Sequence, residues 1–344
     1  MQKFKIKSIP LLILISSIVI FIISFFNARI LVKQSEKELN PKQQLTEAQA
    51  TKYSLKEIDT KTGQLRWQLT AKEGKTEDNL QGATIKDITA EVYRNNEVVF
   101  ELTAPYAKAN AATKEIYLLG DVIAKDKSGN FLLKSNQLAI GMNTSLEAQN
   151  GFNLTLKNSG TISGQNALIN DDQTMITVKN LEEASFKDIS LSGKKVVILR
   201  EQNGDIKKAV ISQGGKVILK NQKDSSLSAD SIEWINEGNV QATKNVVYTS
   251  EDKIFKAEYL LLKPDKSIYA KDNVLILHGN TQCSGNSLNF ENNSKITLNG
   301  KPKAIQGEKQ ITADKIIYDI NTNKVEAIGN VKTIIVQNDL RNSK

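Results

Sequence analysis

ADSIEWINEGNVQATKNVVYTSEDKIFK (229–256), AEYLLLKPDKSIYAKDNVLILHGNTQCS (257–284), GNSLNFENNSKITLNGKPKAIQGEKQIT (285–312) and ADKIIYDINTNKVEAIGNVKTIIVQNDL (313–340) follow one another in the chain, 28 residues each. Each opens on a small residue: Ala229, Ala257, Gly285 and Ala313. An apolar pair follows three and five residues later, namely Ile232 and Trp234, Leu260 and Leu262, Leu288 and Phe290, Ile316 and Tyr318. A spacing of two is the strand period, not the helix period. Turn signals come next (Asn236-Glu237-Gly238, Lys263-Pro264-Asp265, Glu291-Asn292-Asn293, Ile320 to Asn323), and second strands begin near Val240, Ile268, Ile296 and Val325. A fixed period of this size marks a repeat architecture. The chain is expected to be all-β, a stack of two-stranded units.

The same plan extends upstream. Units open at Ala104, Ser135, Gly164 and Gly193, at less even steps than the later ones. A first hairpin starts at Tyr53, turns at Lys61-Thr62-Gly63 and continues through Trp67 and Leu69. Units of two strands each predict about sixteen to eighteen strands. Along each strand one face is apolar, as at Leu138 and Ile140, and the other carries Lys, Asp, Asn, Thr and Glu. Stacked in register, the apolar faces line a common interior. That interior is either a filled core or a trough open along one side, and the alternation fits both. The small openers and the 6% aromatic content favour a loosely filled one.

The charge of +8 needs locating. Residues 1–40 hold Lys3, Lys5, Lys7, Arg29, Lys33 and Lys37 against Glu36 and Glu38, half of the excess. The rest is nearly balanced and has no basic stripe of the kind a nucleic-acid surface needs, so no nucleic-acid partner is expected. Ile9 to Phe26 carries no charge, only Pro10 and three serines among apolar residues. As a helix it spans about 27 Å, close to the ~30 Å hydrocarbon core. It lacks the short apolar region and small-residue site of a cleaved leader. The reading is a tail at 1–8, a transmembrane helix at 9–28, a polar stalk at 29–52 and a body outside the cytoplasm.

Nothing in the chain points to chemistry. There is no phosphate-binding glycine loop, nucleophile elbow or histidine triad, and no enzymatic activity is expected. One cysteine, Cys283, excludes an internal disulfide. His278 lies five residues away, too few ligands for a metal site, so neither metal nor cofactor is expected.

The last unit, from Ala313-Asp-Lys-Ile-Ile-Tyr318 to Gly329-Asn-Val331, resembles the repeat of the OstA/LptA superfamily of lipopolysaccharide transport proteins. The amino-terminal part resembles LptC, the membrane-anchored member. The anchor, the stretch from Ile58-Asp-Thr-Lys-Thr-Gly63 through Trp67 to Ala71, and the stretch from Phe100 to Val122 carry that likeness. It covers residues 53–187, and residues 188–344 look more like LptA. The resemblance implies an elongated β-jellyroll or β-taco whose trough shields acyl chains. It implies lipopolysaccharide as cargo, an LptB-type ATPase with LptF/LptG-type permeases at the amino-terminal edge, and LptA or the amino-terminal domain of the outer-membrane translocon at the other. The expected location is the inner membrane, with the body periplasmic. Groove residues would be Trp67, Leu69, Leu138, Ile140, Ile232, Trp234, Leu260, Leu262, Leu288, Phe290, Ile316 and Tyr318. Gly63 would mark the loading-edge turn, and Val331, Ile334, Ile335 and Val336 the docking strand. Two other readings stand beside this: an anchored solenoid enzyme acting on polysaccharide, which needs paired carboxylates across a cleft, and a scaffold with a filled core.

Overall fold

The computed structural model describes residues 49–335, apart from 77–81, 111–114, 142–143, 221–224, 236–237 and 292–293. The expected tail, transmembrane helix and most of the stalk lie outside the described residues, as does Val336. Among the described residues no helix is long and apolar enough to cross a membrane. The chain divides into two units, Met1–Thr46 and Glu47–Lys344, and every described strand belongs to the second.

Among the described residues that unit is one antiparallel sheet of 22 strands. The first eight are β1 (Gln49–Ile58), β2 (Leu65–Thr76), β3 (Gly82–Arg94), β4 (Glu97–Asn110), β5 (Glu115–Lys125), β6 (Phe131–Ile140), β7 (Leu146–Leu156) and β8 (Gly160–Ile169). Then come β9 (Met175–Phe186), β10 (Ile189–Arg200), β11 (Ile206–Leu219), β12 (Ser225–Ile235), β13 (Val240–Ser250), β14 (Lys253–Leu262), β15 (Ile268–His278) and β16 (Thr281–Glu291). The last six are short: β17 (Lys295–Asn299), β18 (Lys303–Gln306), β19 (Lys309–Thr312), β20 (Lys315–Asp319), β21 (Lys324–Ile328) and β22 (Lys332–Ile335). From β1 to β16 each strand pairs with the next in the chain. β1 begins inside the stretch read as stalk. The sheet also runs unbroken past residue 187, because β9 and β10 pair along their length.

The small residues expected to open each unit do not start strands. Ala104, Ser135, Gly164, Gly193, Ala229, Ala257 and Gly285 sit in the middle of β4, β6, β8, β10, β12, β14 and β16, and Ala71 takes the same place in β2. Here the alternation slips. In β12 the buried residues are Ser225, Leu227 and Ala229, then Ile232 and Trp234, a step of three where a flat strand takes two. The register shifts at the same place, between Ser228 and Ser231. Neighbouring strands answer with pairs of left-handed residues, such as Lys244-Asn245 in β13 and Asp272-Asn273 in β15, and their buried positions skip by four. These bulges line up across the sheet and fold it along one crease.

Crease residues are small because the next strand's backbone crosses them. A Cβ on Gly164 would lie 2.8 Å from the carbonyl oxygen of Asn180 and 3.3 Å from the Cα of Leu181. Where the position is serine, its hydroxyl donates to a backbone carbonyl in the crease, at 2.8 Å from Ser135 to Gln137. The acids that recur one residue later face outward and clasp the bend: Asp230 accepts from the Asn245 amide (3.0 Å) and Asp314 from that of Asn330 (2.9 Å). Asp230 and Asp314 thus have a structural role at the bend.

Past β16 the crease severs the strands. Gly300-Lys301-Pro302 separates β17 from β18, Ala313-Asp314 separates β19 from β20, and Gly329-Asn330-Val331 separates β21 from β22. This accounts for much of the excess over the sixteen to eighteen strands expected.

Candidate functional site

The crease divides the sheet into two walls. The first is formed by the leading halves of even strands up to β16, the trailing halves of odd ones, and β18, β19 and β22. The second holds the complementary halves with β17, β20 and β21. Their apolar faces meet. Phe186 of the first wall stacks on Trp234 of the second at 5.7 Å between ring centroids, and Phe255 meets Phe290 at the same distance.

In-register apolar rows line this interior. On the second wall one row runs Leu118, Leu138, Ala148, Ala167, Val178, Val196, Ile211, Ile232, Ala242, Leu260, Ala270, Leu288, Leu298, Ile316 and Ala327 without a polar interruption. A second row there includes Ile140, Trp234, Leu262, Phe290 and Tyr318. All twelve residues expected to line the groove therefore face the interior. Eleven are buried, and Ile140 packs half-buried against the cluster.

The first wall contributes an equal share that sequence reasoning missed except at Trp67 and Leu69. Its main row passes through Leu69, Leu102, Leu133, Leu154, Leu227, Phe255 and Cys283. On the even strands these lie two residues before the small one, and Leu227, Phe255 and Cys283 keep its 28-residue step, so the signal stands in the sequence on the other side of the small residue.

The interior is filled, against the expectation of loose packing. Most lining side chains are fully buried, Leu138, Leu260, Leu288 and Tyr318 among them. Two hollows, of about 490 and 400 Å3, lie at the crease, lined chiefly by polar residues such as Gln213, Asp230 and Lys244 or Asp121, Lys134 and Asn153. Burial pushes the Cys283 thiol up to about 12 and also raises the Tyr318 phenol.

Among the described residues both ends of the sheet are strands with one unpaired edge. At the amino-terminal end β1 pairs with β2 and, among the described residues, with no other strand. Gly63 lies in the turn joining them at φ +71, with open space around an added Cβ, so it serves backbone conformation there. Its N–H donates to the carbonyl of Asp59 at 2.8 Å. Arg66 hydrogen-bonds the Asp59 carboxylate at 2.7 Å, and the N–H groups of Lys61 and Thr62 add to it. Together they hold that carboxyl at about 2. A depressed pKa stabilises above the unfolded value of about 3.9 and is lost as pH falls through the folded one. Urea unfolding of the wild type and Asp59→Asn should therefore differ above about pH 5 and converge near pH 2.

The other end is forked, with β21 on one wall and β22 on the other. Ile334 and Ile335 lie in β22 and are exposed, while Val331 precedes the strand and is also exposed.

Fold and interior together define a class: a creased antiparallel jellyroll closed on a continuous apolar lining. Residues 11–181 match the family described as lipopolysaccharide-assembly, LptC-related. Over those residues the chain belongs to that family, and its work lies in lipopolysaccharide transport. A similar solved structure is that of LptH, the LptA-homologous periplasmic component of the conserved lipopolysaccharide transport device from Pseudomonas aeruginosa. It is 19% identical, covers 32% of this chain and 94% of that one, and superposes with a TM-score of 0.31. No curated protein matches in a sequence search.

Proposed function

We propose that this chain is a membrane-anchored periplasmic conduit. It accepts lipopolysaccharide from an inner-membrane ABC transporter, an LptB-type ATPase with LptF/LptG-type permeases, at the β1 edge. It passes the lipid along its apolar interior toward LptA or the outer-membrane translocon at the forked edge. Residues 9–28 hold it in the inner membrane.

The observation that carries this reading is the uninterrupted apolar row from Leu118 to Ala327. Acyl chains gain about 25 cal/mol per Å² of surface removed from water. A chain that moves along repeating side chains meets the same affinity at each step and is not trapped at any one. Because the walls touch, lipid enters by parting them and replaces wall-to-wall contacts with its own. ATP hydrolysis elsewhere supplies the drive.

Photo-crosslinking amino acids at Leu262, Leu288 and Tyr318 should capture lipopolysaccharide in cells. The exposed positions Lys266 and Lys295 should not. Absence of a lipid adduct at all three interior sites would sink the conduit.

A further inference from the structure

The line opposite the crease, where the hairpin turns of the two walls meet, is the mouth. Near the forked edge a hydrogen-bond network crosses it. His278 ends β15, Thr281 begins β16 and Gln306 ends β18, all on the first wall. Tyr318 of β20 and Asn323 in the turn after it belong to the second. The Tyr318 hydroxyl donates to Asn323 Oδ1 at 2.7 Å, and the Thr281 hydroxyl donates to the same oxygen at 3.3 Å. With its one proton so committed, the Tyr318 hydroxyl accepts from His278 Nδ1, 2.6 Å away. The Gln306 amide donates across the mouth to the Asn323 carbonyl oxygen at 3.2 Å, and to Thr281 Oγ1 at 3.3 Å. On its far side His278 Nε2 lies 3.1 Å from Asp252, which with Glu251 also engages Lys253.

Elsewhere among the described residues the mouth is crossed more sparsely. Arg94 reaches the carbonyl of Asp171 at 3.4 Å, and Ser159 reaches that of Gly204 at 3.4 Å. Tyr318 and Thr281 also belong to the interior lining, where an unpartnered hydroxyl would be costly. Each hydroxyl makes one bond to the opposite wall, Tyr318 with His278 and Thr281 with Asn323, and those two bonds form only when the walls meet.

We propose that His278, Thr281, Gln306, Tyr318 and Asn323 form a latch that holds the mouth shut at the forked end. Separation of the walls there breaks all of its cross-mouth bonds together, so this end opens as a unit and less often than the rest. As a control on lipid exit the latch rests on the conduit reading; as a closure it does not.

Cys283, the only cysteine, faces the interior two residues beyond Thr281 and is 1% exposed. Its reaction with a thiol reagent such as N-ethylmaleimide, in the full chain without lipid, reports opening. Tyr318→Phe keeps the ring and removes the hydroxyl. It should label about tenfold faster than wild type, the upper end of the change expected from losing its one cross-mouth hydrogen bond, to His278, and Asn323→Ala, which removes the acceptor of Thr281, should do likewise. Tyr259→Phe, on the outer face, should label at the wild-type rate. Hydrogen exchange separates latch from general loosening: protection should fall in residues 303–323 and stay unchanged in β6–β8. Wild-type labelling in Tyr318→Phe overturns the latch, and so does equal loss of protection in β6–β8. Accelerated labelling without lipid crosslinks in cells would leave the latch standing and remove the conduit.

Discussion

Leu260→Ala should cost about 4 kcal/mol, in the upper part of the range for a buried leucine. Leu260 is fully buried, and its in-register neighbours in the row are Ala242 and Ala270. Neither alanine can extend a side chain into the space left, so the cavity stays open and the full penalty applies. The loss should also stay local. In a stacked array each unit contacts chiefly its neighbours, and stability is close to a sum of unit and interface contributions. Urea unfolding followed by hydrogen exchange should show β13–β15 opening ahead of β4–β8. Ile254→Ala, on the outer face of the same strand, should cost less than about 1 kcal/mol. Equal costs for the two substitutions would mean that the interior is not the stabilising layer.

Removal of residues 229–344 should abolish onward passage of lipopolysaccharide while leaving association with the permease intact. The deletion takes most of β12 and all of β13–β22, including the forked edge, and leaves β11 as the last full strand. β1 to β10 keep their pairing and β11 keeps its bonds to β10, because each strand there bonds to its chain neighbours. Co-purification of the truncated chain with the permease, together with surface lipopolysaccharide in cells relying on it, checks both halves of the expectation. Full surface lipopolysaccharide would show that the carboxy-terminal repeats do not form the onward link.

The period, the β class and the +3, +5 pair of each unit were legible because they are properties of spacing. The phase of the unit was not. At Ala229 the buried positions step from 227 and 229 to 232 and 234. A reader of alternation meets that slip as a strand boundary, although the strand runs on and bends. Once the bend is taken for a start, Leu227 and Phe255 fall outside their units and the first wall disappears from view. The filled interior could not be read either. Whether two apolar faces touch depends on the crease angle, which is set by paired left-handed residues such as Asp272-Asn273. His278 offered no signal, since its partners Tyr318 and Asp252 lie 40 residues downstream and 26 upstream.

The crease also frees length from cross-section. Neighbouring strands lie about 4.8 Å apart, so each 28-residue unit advances the sheet by about 9.6 Å. Because every unit carries its own bend, a copy added between Lys256 and Ala257 would bring its share of both walls and leave the bore and both ends as they were. The gene for such a protein can tune its reach in fixed increments by duplication, the way a ruler is lengthened by another division. A jellyroll that closed through long crossovers would have no such freedom.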